Sequence, residues 1–580
     1  MRTAAVLSFL VACVAAGPVS FSGSTSIYGE YGSVTGSGGG ETLVSPRPEL
    51  RLSINPSLSL WNFPIGLDIL VSTQENSVRQ QLDKFKLFLN PQQWLESQVN
   101  PSGLALSLKG LELGSCNPSW TSYTLSGASV LGGAVELTPW YLYTAAAVGR
   151  SQRRVPVSDS TQGACARMLY SGRFGFGKKE GTHFYLTGLY AGDDTTPPAN
   201  NWQPNPNDTT DTYEVVRPQE NYVLGAEFNL DLARGAFRLE SEVTGSELTR
   251  DKRLPVPDSF GSVGLPSWLD DHFHWTIPIL HPRMSSGFDF ACKVRPSLNV
   301  LETRVYGRLE YVGPGYVSSG APGLRNDNLT IGAGIERYFF DNAVSVSAAY
   351  TSEHDNLMAQ AVEDSLGRVV RVLTLKSATT RFTNWEASCG LAFPNLPYLQ
   401  LGYYPYTQSS DSLDSMARVA STKTTTGNVI SVSAGHSFQA GKLSHSPGVS
   451  FSYNDVRGPA SDSADNTSWD AGVNYGLGFE FPLSLSASCG LSRSVAVGMD
   501  PDQRVYFDVT PSYTLFGKWN HSVTIGGTFG TDRRIDTRYA TSFPVWKICD
   551  ASAGVSDAIY SGTDGKYNDL RLTAELSKSW

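Results

Sequence analysis

The sequence predicts an all-β fold, a single large antiparallel transmembrane β-barrel, and three observations carry the prediction. The first is strict alternation: between Thr424 and Gly530, Ile430, Val432, Ala434, His436 and Phe438 share one parity, while Ser431, Ser433, Gly435 and Ser437 hold the other. Period two marks strands with one apolar face. The second is the rhythm of the joints, tight at Gln439 to Gly441 and Phe516 to Trp519, long and polar at Asp455 to Thr467 and Val497 to Gln503. Short turns at one end and longer loops at the other belong to membrane barrels. The third is composition: only 17% of the 580 residues are charged, against 56 Gly, 26 Tyr, 26 Phe and 12 Trp. Soluble proteins carry about 25% charged residues. A barrel with an apolar exterior and a polar interior explains both the deficit and a mean hydropathy of -0.19.

The net charge of -9 comes with no basic run, which excludes nucleic-acid binding as a class. Residues 1–16, with Arg2, a short apolar core and small residues at Val14 to Ala16, read as a secretory signal peptide. Leu10-Val11-Ala12-Cys13 also fits a lipoprotein cleavage box, and lipidation of Cys13 stays open. No later apolar run reaches the roughly 18 to 20 residues of a membrane helix. The span 18–580 is therefore expected to be one barrel in a cell outer membrane, with no plug domain ahead of the first strand.

In chain order, the first strand is VSFSGSTSIYGEYG. ELRLSINPSLSLW and GLDILVST follow, joined at Asn62 to Ile65. The stretch Arg79 to Gly103 reads as a strand around Phe85, with an amphipathic helix or an inward-folded segment as alternatives. Hairpins turn at Thr138 to Trp140 and at Lys178 to Gly181. Two long outer loops interrupt the rhythm, near 193–220 and 249–286. The last strand, NDLRLTAELSKSW, keeps Leu570, Leu572, Ala574, Leu576 and Trp580 on one parity. Its aromatic end is a feature of substrates of the barrel-assembly machinery, the expected partner besides outer-membrane lipid.

This division gives about 26 strands, within a range of 22 to 26, at about 22 residues per strand and connection. Trp61, Phe63, Trp140, Tyr338, Phe339, Phe393, Phe481, Phe516, Trp519 and Trp580 all fall at the short-turn ends, as an interfacial aromatic girdle requires.

The other parity should face the lumen. Arg238, Glu240 and Glu242, then Glu302, Arg304, Arg308 and Glu310, then Arg571 and Glu575 are the candidate lumen-lining residues. A charge on the lipid face costs about 2 to 4 kcal/mol at the midplane for Arg or Lys, so these side chains point inward. They line a selectivity path or form a neutralised ladder that stiffens a wide wall.

The segments PSWTSYTLSGASVLGGAVELTP, VRPQENYVLGAEF, LEYVGPGYVSSGAPGLRNDNLT and FPNLPYLQLGYYPYTQ resemble, in the same order, segments of a family of uncharacterised exported, porin-like outer-membrane barrel proteins of about this length. The resemblance runs from about Glu49 to Ser410 and implies fold and location; it carries no activity. The family commonly has an acidic residue before the Pro-Gly-Tyr element, where this chain has Gly313.

Motifs for chemistry are few. Asp270, Asp271, His272, His274 and His281 form a His/Asp cluster in a proline-containing loop, without the spacing of a metal site. The Asp/Asn-rich stretches Asp193 to Asp211 and Ser461 to Asn466 lack the Gly and terminal Glu of a calcium loop. No nucleophile elbow, Walker A loop or zinc-protease helix is present. Neither an enzyme nor a cofactor is expected. Of seven cysteines, Cys292, Cys389 and Cys489 sit on the apolar parity as small hydrophobes, and Cys116, Cys165 and Cys549 are left unassigned. Two functions follow: a porin-like transport channel narrowed by the long segments Asp193 to Glu220 and Thr249 to Ser286 folding inward, or a structural or surface-interaction barrel with an occluded lumen.

Overall fold

Alternation makes each strand two-faced, and two-faced strands satisfy every backbone donor and acceptor in lipid only by closing on themselves. The computed structural model describes residues 19–38, 49–60, 63–73, 84–89, 108–139, 141–158, 162–205, 208–256, 282–357, 360–363, 369–373, 378–412, 421–459, 465–545, 548–562 and 565–580. Its main sheet has 27 strand segments. Two of them, Ser421–Gly435 and Phe438–Ala440, are parts of one strand, since both pair with Leu443–Arg457 in continuous register. The interruption falls opposite Pro447, which has no N–H to return to His436; only His436 N donates, to Pro447 O at 3.0 Å. The barrel therefore has 26 strands, each antiparallel to its neighbours.

Closure is made by the first and last strands. Val19–Gly38 pairs with Gly565–Ser579 from Ser24↔Ser579 to Gly38↔Gly565. Trp580 extends the ladder through Gly23, and its ring stacks on Phe21 at 5.9 Å. At a strand spacing of about 4.8 Å and a tilt of about 40°, a ring of this many strands is about 50 Å across.

The two faces differ as the sequence requires. Leu224, Val243, Ile331, Phe451, Ile525 and Leu572 stand exposed on one face. Exposing such side chains to water costs about 25 cal/mol per Å², so this face is the outer, lipid-covered one and the polar face is the inner one. Cys292, Cys389 and Cys489 lie on the outer parity opposite Val243, Val346 and Val473, and all six described cysteines are free.

Tight turns gather at one end. Leu301 and Glu302 form a two-residue turn with φ of 50° and 61°, the left-handed pair that suits the twist of a hairpin. Aromatic pairs mark the same end, Phe340–Phe393 at 6.4 Å and Phe516–Trp519 at 6.2 Å. Trp61 and Trp140 lie outside the described residues. The stretch around Phe85 contributes the strand Lys84–Leu89. At the loop end, Trp202–Asn205 pairs with Asp208–Glu214, and Gln360–Glu363 with Val369–Leu373, as hairpins outside the wall.

Candidate functional site

Two connections at the loop end, residues 117–129 and 313–327, fold onto the inner face of the wall. Both are compact for local reasons. In the first, Trp120 N donates to Leu125 O at 2.9 Å, and Thr121 Oγ1 accepts from Thr124 N at 3.1 Å, which pins a narrow tip. The second is a run of turns, Tyr316 N to Gly313 O, Ala321 N to Ser318 O and Leu324 N to Ala321 O, closed at its base by Asp327 N to Gly313 O at 3.2 Å.

Each connection satisfies the other. Tyr316 Oη donates to Tyr123 O at 2.9 Å, Ser318 Oγ to Thr124 O at 2.6 Å, and Ser126 N to Gly320 O at 2.8 Å. A Cβ at Gly320 would lie 2.4 Å from both Thr124 O and Leu189 Cδ1, so the close approach needs glycine there. Burial pushes the Tyr123 and Tyr316 phenols up, and both remain neutral donors at any physiological pH.

The wall receives this pair of loops with a small apolar core and a set of polar clamps. Leu125 and Tyr316 pack with Val130, Leu169, Leu189 and Val223. Asn221, 1% exposed, donates through Nδ2 to Val317 O at 3.0 Å and accepts from Ser319 N at 2.8 Å. Ser246 Oγ also donates to Val317 O. Nearer the turn end, Arg173 donates to Trp120 O at 3.2 Å and pairs with Glu227. Its guanidinium lies 4.5 Å from the Tyr185 ring centre and 5.4 Å from that of Tyr143. His183 Nε2 stands 3.1 Å from the other Glu227 oxygen. A buried Arg is tolerable only with such partners.

The candidate lumen residues divide around this site. Glu242 pairs with Lys293 at 2.8 Å, and Lys293 reaches Ser122 Oγ at 3.2 Å, so this ion pair lies beneath the folded-in tip. The register sets Glu242, Lys293 and Glu310 in one cross-strand row. Glu310 also holds Arg308 at 2.8 Å and Arg295. Glu240 stands opposite Arg295. Arg238 pairs with Asp231 at 3.1 Å and Arg304 with Glu336 at 3.6 Å, towards the turn end. Glu302 sits in the turn rather than in a strand. Arg571 pairs with Asp569 at 3.0 Å and Glu575 faces Tyr28 across the closing seam, away from the two loops.

Sequence reading missed Trp120, Tyr123, Asn221 and Tyr316, although a signal was present. In RMLYSGRF, Met168, Leu169 and Tyr170 are apolar on both parities, and Val223 and Leu224 repeat this, as a wall covered on both faces demands. The two loops fall within PSWTSYTLSGASVLGGAVELTP and LEYVGPGYVSSGAPGLRNDNLT, two of the four segments singled out in the sequence. Gly313 is explained by crowding, since a Cβ there would lie 2.1 Å from the Asp289 carboxylate, which accepts from Gly315 N at 2.7 Å. The His/Asp cluster at 270–281 lies outside the described residues. Among the described residues, no group of three His, Cys, Asp or Glu side chains is placed to hold a metal ion.

Among the described residues, the wall from Ala378 to Ser579 is uncovered. From Ala378 to Ser579, the only buried residues among those described are glycines. Between Gly427 and Ser494 its inner parity is mainly Ser and Gly, with Ser484, Ser486, Ser488, Ser492 and Ser494 on a single strand.

A closed antiparallel barrel with an apolar belt outside and polar side chains inside is a membrane-spanning barrel of the outer-membrane type. The sequence matches no family model and no curated protein. Among solved structures, Pseudomonas aeruginosa OpdK with vanillate matches at 8% identity over 63% of this chain and 93% of that one, TM-score 0.30. Acinetobacter baumannii OccAB4 matches at 9% identity over 76% and 97%, TM-score 0.28. The P pilus usher (PapC) translocation pore matches at 11% identity over 97% and 99%, TM-score 0.25. These superpositions are loose, with TM-scores of 0.30 or below.

Proposed function

We propose that the protein is a passive, porin-like channel of an outer membrane, admitting hydrophilic solutes along the uncovered part of its inner wall. One observation carries the reading: the two folded-in loops cover only the sector built from residues 116 to 330, while the wall from 378 to 579 buries no side chain larger than glycine among the described residues. Barrels of 16 to 18 strands already leave an aqueous channel, and this one is wider. The charged residues Glu242, Arg308 and Glu310 brace the covered sector against one another. Between Gly427 and Ser494 the path runs past hydroxyl and glycine surface, and charges further along this wall are paired, Arg504 with Asp502, Arg534 with Asp536 and Arg571 with Asp569, which favours weak ion selectivity and no tight binding site.

The test is conductance of the full-length, detergent-folded protein in planar bilayers. Stable open channels with weak preference between cation and anion support the reading. A bilayer that stays electrically silent over a wide voltage range, with folded barrel present, overturns it in favour of an occluded structural barrel.

A further inference from the structure

Where the two longest outer loops leave the wall, three strand ends meet. Glu220 begins Glu220–Leu232, Thr249 ends Phe237–Thr249 and Ser286 begins Ser286–Val300, and the register places the three in one row. Glu247, two residues along from Thr249, shares their face and stands opposite Tyr222 and Phe288. All four are buried: Glu220 is 6% exposed, Glu247 2%, Thr249 0% and Ser286 7%. Ser286 Oγ donates to Glu247 Oε1 at 3.0 Å and lies 2.6 Å from Thr249 Oγ1. It also accepts from Arg283 N at 2.8 Å.

The remaining oxygens are the informative ones. Glu220 Oε1 and Glu247 Oε2 are buried with no hydrogen-bond partner, and the two carboxylates are within electrostatic reach of each other. Among the described residues no cation forms an ion pair with either; Arg283, within electrostatic reach of Tyr222, directs Nη1 to Leu254 O at 3.3 Å and leaves its buried Nε without a partner. Two neighbouring buried carboxylates without a paired counter-charge are unfavourable. The available atoms, two carboxylates and two hydroxyls, are all oxygen, the donor set of a hard divalent cation such as Ca²⁺.

We propose that Glu220 and Glu247, assisted by Thr249 and Ser286, bind a divalent cation that staples the bases of the outer loops 194–219 and 250–285 at the rim of the barrel. The site lies on the outer parity, beyond Leu224 and Val243, and is independent of whether the lumen conducts.

Terbium ions provide the probe, because Tyr190 and Tyr222, whose ring centres are 4.7 Å apart beside the site, can sensitise their emission. The full-length folded protein in detergent should show tyrosine-sensitised Tb³⁺ emission that Ca²⁺ displaces. In the E220Q/E247Q double variant, affinity should fall by about tenfold or more. If that variant fails to fold, E220Q and E247Q singly serve for the same comparison. Absence of Ca²⁺-displaceable emission in the wild type, or its full retention in the folded variants, overturns the proposal and leaves a carboxyl pair sharing a proton.

Discussion

The buried hydroxyl of Tyr316 donates to the backbone carbonyl of Tyr123 at 2.9 Å, joining two connections 193 residues apart in sequence. That bond links the tips of two loops that rise from different strands and meet on the inner wall. Its value lies in leaving no orphan: the carbonyl beneath it is out of water and has to be satisfied.

Tyr316→Phe removes the donor and strands that carbonyl, at a cost of about 1 to 3 kcal/mol to loop docking. The barrel itself, closed by strands far from the site, should keep its thermal stability. Single-channel recordings should show added flicker while the mean strand content by circular dichroism stays constant. A quiet channel would mean that the hydroxyl contributes little to holding the loops.

Asn221→Ala should be more severe. Among the described residues Asn221 alone holds both Val317 O and Ser319 N; its loss leaves Ser319 N without its acceptor and Val317 O with Ser246 Oγ as its remaining donor. The loop 313–327 should detach more readily, and limited proteolysis of the folded protein should cut within it several-fold faster than in Tyr316→Phe. Equal protection in the two variants would contradict the clamp.

Deleting residues 317–322, with the ends rejoined through the turn residues already present, should widen the pore. Conductance should rise relative to wild type, because the loop occupies the lumen side of the wall rather than the outer surface. An unchanged conductance would place the constriction elsewhere.

The outer loops carry their own pH dependence. Arg253 pairs with Asp251 at 2.8 Å and with Glu214 at 2.6 Å, tying the hairpin 202–214 to the base of the next loop. Hydrogen bonding from the Arg253 side chain holds the Asp251 carboxyl below the usual carboxylate range. A depressed carboxylate stabilises the folded form above its unfolded pKa, about 3.9, and loses that contribution as pH falls through the folded value. Protease sensitivity of this tether should therefore be flat from pH 7 to about pH 5 and rise only below about pH 4. A rise near neutral pH would point to a different group.

Much of this architecture was legible from side-chain order alone, and the reason is physical. Lipid outside and water inside force a period of two, so Val505, Phe507 and Val509 declare the outer face. The strand number and the aromatic turn end followed from the same rule, whereas the closing pair, Val19–Gly38 with Gly565–Ser579, came from the structure. The folded-in loops did not, because a loop's docking depends on partners such as Tyr123 and Tyr316, and loop sequences have no period to read. Their trace was indirect: the apolar inner residues Leu169, Leu189 and Val223 broke the alternation where something covers the wall. Charges were ambiguous for a related reason, since Glu242 beneath the loops and Arg571 at the seam occupy the same parity.

The most direct measurement is modification of single cysteines by a charged, membrane-impermeant thiol reagent during conductance recording. Ser450→Cys and Ser488→Cys lie on the inner parity of the uncovered wall, and Ser246→Cys lies under the folded-in loop, where Ser246 is 4% exposed. Rapid current change is expected at Ser450→Cys and Ser488→Cys, with none at Ser246→Cys and none in the wild type. Reaction at Ser246→Cys with silence at the other two would contradict a path along the uncovered wall.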